Sequence, residues 1–141
     1  MYTKKEKGNV GLVKAIASLT VQKIHVSIPI EEDLKYDLIA EKNGICKTIQ
    51  VRYCTPSKGA LAVKLKSVWS NKKGNHIVVR QKGDFDILAV YCPSNDKVYF
   101  IDDKDFKNTT VIYFRLSKPK GGNQHKIRMA EDYLKCDKLF Y

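Results

Sequence analysis

Two β-rich runs meet at Asn43-Gly44, and that dipeptide limits what the chain around it can fold into. Asn-Gly supplies the two positive-φ positions of a two-residue hairpin turn, whose twist matches that of paired strands. Tyr36-Asp37-Leu38-Ile39-Ala40 precedes the turn, and a run over residues 45–54 follows it. The spacing therefore predicts an antiparallel hairpin that sets Asp37 beside Gln50. Gln50 and Arg52 are two apart and share one face of their strand. An acid, an amide and a cation then converge at one spot, with a helix over residues 9–23 packed nearby.

That helix is predicted from Leu12, Val13, Ile16, Leu19 and Lys23, which fall on one 3.6-residue stripe. Asn9, after Gly8, is its expected N-cap. Residues 24–28 alternate as a strand that stops at Pro29, ahead of the acidic turn Glu31-Glu32-Asp33. Residues 60–65 form a further strand. Residues 66–83 are a polar, basic loop, of a length that usually marks function or mobility. Residues 86–92 and 97–101 are the arms of a second hairpin about Pro93-Ser94-Asn95-Asp96. The first arm is either a strand or the end of a helix, because short apolar runs do not separate the two. Residues 109–116 are a last strand, 118–123 a flexible basic loop, and 129–139 a C-terminal helix. No internal repeat is present.

At 141 residues the chain is expected to form one domain, residues 1–141, able to bury a core without staples. A hydrophobic fraction of 43% argues against a disordered polybasic tail. No apolar run approaches the ~18 residues of a membrane span. The basic start, Met1-Tyr2-Thr3-Lys4-Lys5-Glu6-Lys7, leads into no signal-type stretch. Cys46, Cys54, Cys92 and Cys136 form no C-x-x-C pair and read as buried free thiols. His25, His76 and His125 lie at no zinc-ligand spacing from them. An intracellular, cytoplasmic location is expected, nucleoid-associated when bound to DNA.

Charge is the second constraint. Lys and Arg number 26 against 15 Asp and Glu, a net +11. Residues 42–83 hold ten bases and no acid, and residues 106–130 hold six bases and no acid. Between them, residues 84–105 are net −4. Two acid-free basic segments on a folded domain point to a polyanion, nucleic acid first, since cations that track phosphates release counterions. A solvated basic surface and an anionic membrane surface are the alternatives.

The predicted convergence suits metal-dependent phosphodiester hydrolysis. A hard cation such as Mg²⁺ takes carboxylate, carbonyl and water oxygens. Asp37 offers a carboxylate, Gln50 an amide oxygen and Val51 a backbone carbonyl, while Arg52 adds charge stabilisation at phosphate. From spacing alone a second reading stands: Asp37 as a turn or cap residue, Arg52 as a surface or phosphate contact.

Lys7-Gly8-Asn9-Val10-Gly11 opening a helix, Ile28-Pro29, Tyr36-Asp37-Leu38-Ile39, Ile49-Gln50-Val51-Arg52, Tyr91-Cys92-Pro93 and Lys97-Val98-Tyr99 occur in that order. Over roughly residues 7–103 the chain resembles the group I intron-associated homing endonucleases of the PD-(D/E)XK type, the kind found in cyanobacterial tRNA introns. The resemblance implies a restriction-endonuclease-like α/β core, a mixed sheet flanked by helices. It implies Mg²⁺-dependent cleavage of both strands of a long double-stranded DNA target, often by a homo-oligomer, a tetramer or dimer. Symmetric assembly would set two sites on opposite strands. Asp37 takes the place of the motif aspartate, Gln50 that of the second acid, and Arg52 that of the motif lysine. Leu12 stands where the family carries a Glu after the glycine matched to Gly11. Leu12 is either a core residue on the helix stripe or the mark of a lost active-site acid. Arg52 stays protonated, so it stabilises charge but is no general base.

The long basic segment supplies the expected DNA contacts. Lys64, Lys66, Lys72, Lys73, Arg80 and Lys82 position phosphates, while Asn71, Asn75, His76 and Gln81 are placed among them. Arg80, Gln81 and the Asn residues suit base edges. Trp69 either stacks or anchors local packing. Lys118 and Lys120 extend the surface on the second basic loop. Three functions remain: a homing endonuclease, a Holliday-junction resolvase-like nuclease, and a non-catalytic DNA- or RNA-binding module on a decayed nuclease fold. The apolar C-terminal residues Tyr133, Leu134, Leu139, Phe140 and Tyr141 dock on the same subunit or form an interface.

Overall fold

The computed structural model of the chain describes residues 1–71, 73–79, 83–106, 111–118, 121 and 127–141, with 66–71 and 75–79 described by backbone alone. Helix α1 spans Lys4–Val21. It begins five residues earlier than the predicted start, because Thr3 and not Asn9 caps it. Thr3 Oγ1 accepts from the Glu6 N–H at 3.2 Å, and Glu6 Oε1 accepts from the Thr3 N–H at 3.0 Å. This reciprocal capping box satisfies two donors that a helix start leaves orphaned. The Ala15 and Leu19 positions are buried, and Gly11 brings the helix close to the strand beneath.

Among the described residues nine strands follow: β1 His25–Ser27, β2 Leu38–Lys42, β3 Ile45–Tyr53, β4 Ala60–Lys64, β5 Lys66–Asn71, β6 Gly74–Val79, β7 Ile87–Cys92, β8 Lys97–Asp102 and β9 Val111–Arg115. Five of them form one sheet in the order β1-β2-β3-β7-β8. The β3–β7 pair is parallel and the other three pairs are antiparallel, so the sheet is mixed. Asn43 and Gly44 take φ 54° and 76°, the two positive values the β2–β3 turn requires.

The sheet buries both faces. On one, Ala15 and Leu19 of α1 meet Ile49, Ile87, Ala89, Tyr91 and Phe100. On the other, Leu88, Val90, Tyr99 and Ile101 meet Leu61, Val63, Ile112 and Phe114 of a two-stranded β4–β9 layer. Every residue of β7 is buried, which decides for a strand at 87–92 against a helix end. A central strand in a parallel pair, covered on both faces, needs a continuous apolar run rather than alternation.

Two expectations are corrected. Residues 66–83 are not a structureless loop, since β5 and β6 pair antiparallel from Lys66 with Val79 to Asn71 with Gly74. Lys66, Ser67, Ser70, Asn71, Asn75 and His76 make this segment polar enough to read as a loop, although its backbone pairs as a ribbon. Residues 129–139 hold two short 3₁₀ turns, Ala130–Tyr133 and Asp137–Phe140, in place of one helix. Gln22 of the α1 C-cap sets their path. Its Nε2 donates to the Leu134 carbonyl at 3.2 Å, and its Oε1 accepts from the Cys136 N–H at 2.7 Å. Phe140 is buried in the helix-side cluster while Tyr141 stays exposed, so the C-terminal apolar residues dock on the same chain up to Phe140. Among the described residues no helix is long and apolar enough to cross a membrane.

Candidate active site

The β2–β3 register pairs Leu38 with Ile49, which sets Asp37 level with Gln50. Asp37 lies one residue before β2 begins, and its N–H donates to the Ile49 carbonyl at 2.8 Å. Its Oδ2 accepts from the Val51 N–H at 2.8 Å. The exposed carboxylate is thereby locked against the edge of β3 just where β2 stops pairing. A strand residue projects its N–H and C=O to the same edge. The Val51 carbonyl accordingly faces the side that carries Asp37.

Gln50 and Arg52 share a face, but not the face of α1. Their register partners on β7 are Leu88 and Val90, which belong to the cluster covered by β4–β9. Val51 and Tyr53, between and beyond them, pack toward α1. An ideal Cβ on Gly11 would meet Val51 Cγ1 at 3.5 Å and Tyr53 Cβ at 3.7 Å. The expectation of a helix packed beside the amide and the cation is thus corrected by strand alternation. Leu12 is half-buried against the helix-side cluster.

Arg52 is half-buried, and its Nε has no hydrogen-bond partner among the described residues. Burial holds the guanidinium below its ordinary pKa, and the nearby Asp37 charge pulls the other way. Asp37 therefore lies near enough to Arg52 for its charge to act on the guanidinium. Lys64, at the end of β4, lines one cavity with Arg52.

The remaining candidates scatter. Lys73 and Lys118 are exposed, the first at the β5–β6 turn and the second beyond β9. Lys66, Trp69, Asn71, Asn75 and His76 occupy the β5–β6 ribbon, where Trp69 is the register partner of His76. Lys72, Arg80, Gln81, Lys82 and Lys120 lie outside the described residues. The thiols divide: Cys92 and Cys136 are buried, Cys54 is half-buried, and Cys46 is exposed, against expectation. Cys46 alternates out of the core because Ile45 and Ile49 take the inward register.

One array escaped sequence reasoning. Tyr53 and Tyr91 are cross-strand partners with ring centroids 5.6 Å apart. Lys7 lies 5.8 Å over the Tyr53 ring and Lys14 lies 6.0 Å over that of Tyr91. Tyr91 donates to Asp96 Oδ1 at 2.7 Å, which also meets Lys14 Nζ at 2.8 Å. The hydrogen bond to Asp96, then burial, push the Tyr91 hydroxyl up to about 12. The parallel β3–β7 pairing creates this array, and no local pattern announces a pairing of that kind.

Among the described residues no three His, Cys, Asp or Glu side chains group as a metal site. The candidate donors are the Asp37 carboxylate, the Gln50 amide and the Val51 carbonyl. That set fits Mg²⁺, which binds through one or two carboxylates together with waters and substrate phosphate.

A family model described as PD-(D/E)XK endonuclease matches residues 2–136. Among solved structures, that of a bacterial homing endonuclease, I-Ssp6803I, superposes with a TM-score of 0.73. The superposition covers 94% of this chain and 88% of that one, at 18% sequence identity, and so reports likeness of fold. No curated protein matches the sequence.

Proposed function

The chain belongs to the PD-(D/E)XK endonuclease family, and on that premise we propose that it is a site-specific homing endonuclease, cutting a long double-stranded DNA target with Mg²⁺. One observation carries the reading: the Asp37 carboxylate sits on the Val51 N–H at the edge of β3 that β2 leaves open. Asp37, the Gln50 amide oxygen and the Val51 carbonyl would hold the cation. When bound, it supplies an acidified water and neutralises charge on the phosphate. Arg52, permanently protonated, adds charge stabilisation and accepts no proton. Lys64 and the β5–β6 ribbon supply DNA contacts, a two-stranded ribbon being a shape the major groove admits. A homodimer or tetramer would present two sites to opposite strands.

Cleavage of a randomised duplex library, with selection of the cut species, tests the reading. Asp37→Asn keeps an oxygen for the Val51 N–H and should fold. Its Mg²⁺-dependent cleavage should fall by about 10²-fold or more, the scale of one well-placed electrostatic group. A folded Asp37→Asn variant that cuts at the parental rate removes Asp37 from the chemistry.

A DNA-binding module that no longer cuts is the second reading, favoured by Leu12. Its apolar side chain packs into the helix-side cluster at the position where the family resemblance calls for an acid. Sequence-specific binding with no cleavage in Mg²⁺ would select it.

A further inference from the structure

The parallel pairing of β3 with β7 sets two thiols side by side. Tyr53 pairs with Tyr91, and the next N–H, that of Cys54, donates to the Tyr91 carbonyl at 2.9 Å. Cys54 and Cys92 are therefore lateral neighbours, one residue beyond the tyrosine pair. Alternation turns both to the β4–β9 face, where Cys92 belongs to the buried cluster and Cys54 packs against it. Adjacent strands stand about 4.8 Å apart, inside the roughly 4.4–6.8 Å between Cα atoms that a disulfide spans. The other two thiols lie elsewhere, Cys46 exposed near the start of β3 and Cys136 buried in the helix-side cluster. Cys92 is fully buried, but Cys54 is half-buried and lines a cavity of about 230 Å³ with Arg52, Tyr53, Ala62, Val63 and Lys64. Cys54 is thus the thiol that a small molecule meets, and Cys92 the one behind it. Neither sulfur is tied strongly. Cys54 Sγ donates to the Ala62 carbonyl at 3.5 Å, and Cys92 Sγ lies 3.2 Å from Ser94 Oγ, both weak contacts of a thiol. Burial, then the charge of Cys92, raises the Cys54 pKa, so Cys54 rests as a neutral thiol.

We propose that Cys54 and Cys92 form a modification site, which a small-molecule disulfide oxidises to an intrachain disulfide. Cys54 loses its proton to solvent, its sulfur bonds to one sulfur of the reagent, and the reagent's S–S bond breaks to release one thiolate. Cys92 loses its proton in turn, and its sulfur attacks the Cys54 sulfur and displaces the second thiolate. The two protein thiols give up two electrons and two protons, and the reagent leaves as two thiols. Cys54 is the attacking residue and Cys92 the resolving one, the division of labour of redox-sensitive cysteine pairs. A thiol that rests neutral attacks slowly, which sets the first step on a scale of minutes to hours. The new bond ties the end of the strand that carries Gln50 and Arg52 to β7. It also takes the Cys54 sulfur from the Ala62 carbonyl of β4, so the cavity wall changes with it.

The full chain is incubated with oxidised glutathione, its remaining thiols are alkylated in denaturant, and its unreduced tryptic peptides are mapped by mass. Residues 53–58, which hold Cys54, should be joined to residues 83–97, which hold Cys92. The chain should still run as a monomer on a non-reducing denaturing gel, and dithiothreitol should restore both thiols. Cys92→Ser should stop the reaction at a glutathione adduct on Cys54. Cys54→Ser should leave Cys92 free, and where Cys92→Ser does not fold, this change at the half-buried position carries the test. Free Cys54 and Cys92 after the exposed Cys46 has reacted overturn the site, as does a Cys54 adduct that persists in the parental chain. A link found only between two copies overturns it as well. Cys136 reports on the fold. If it reacts in step with Cys54, the chain has opened first, and the pair is no site of the folded protein.

Discussion

Asp37 and Leu12 bear on the proposed chemistry in opposite senses. The first is an exposed carboxylate fixed by a backbone N–H, and the second an apolar side chain in a helix-side cluster. Leu12→Glu offers a second carboxylate from α1. Introducing a charge against an apolar cluster should lower the melting temperature. If the family position is catalytic, Mg²⁺-dependent cleavage should nonetheless rise about 10²-fold. An unchanged rate in a folded, DNA-bound Leu12→Glu variant rejects that role. Sequence reasoning reached Asp37, Gln50 and Arg52 because one two-residue turn sets their register. It did not reach Lys64 as a neighbour of Arg52. Those residues line one cavity between two sheets, through a layer that β4 forms with β9 some fifty residues later.

At the scale of elements, α1 joins a strong start to a weak first turn. Its capping box is intact, yet Gly8 follows one turn in, exposed, with no atom within 4 Å of an added Cβ. Gly8→Ala should stabilise by about 0.5–1 kcal/mol, because alanine loses less backbone entropy in a helix. Thermal unfolding should shift upward by roughly 1–4 °C. At the other end, Gln22 ties the C-terminal 3₁₀ turns to the helix. Gln22→Ala leaves the Cys136 N–H and the Leu134 carbonyl without that partner, at a cost of about 1–3 kcal/mol in urea unfolding. Helix and hairpin were legible from local periodicity and turn chemistry. The β5–β6 ribbon was not, because its mix of lysines, asparagines and serines carries no clear two-residue period.

For the whole molecule, alkaline pH probes the layer between α1 and the sheet. The Tyr91 hydroxyl titrates at about 12 in the folded chain, above its ordinary 10. A raised pKa contributes its stability in full below the unfolded value and loses it as pH rises through the folded one. Stability should therefore decline between about pH 10 and 12, and Tyr91→Phe should remove that part of the decline. Melting temperatures of both chains across this range check the prediction. The +11 charge belongs to the same scale, since its densest segment runs from the end of β2 through the β5–β6 ribbon.

Taken by itself, the sequence determined the β2–β3 hairpin, its register, and the shared face of Gln50 and Arg52. These depend on a turn type and a two-residue period, both local. It also determined the acid-free basic segments, since charge is additive along a chain. Only the tertiary structure decided that α1 lies on the other face from Gln50 and Arg52, that Tyr53 meets Tyr91, and that Lys64 lines a cavity with Arg52. Each depends on a pairing between distant strands, whose partner is chosen by the burial of the whole sheet rather than by any segment's own pattern.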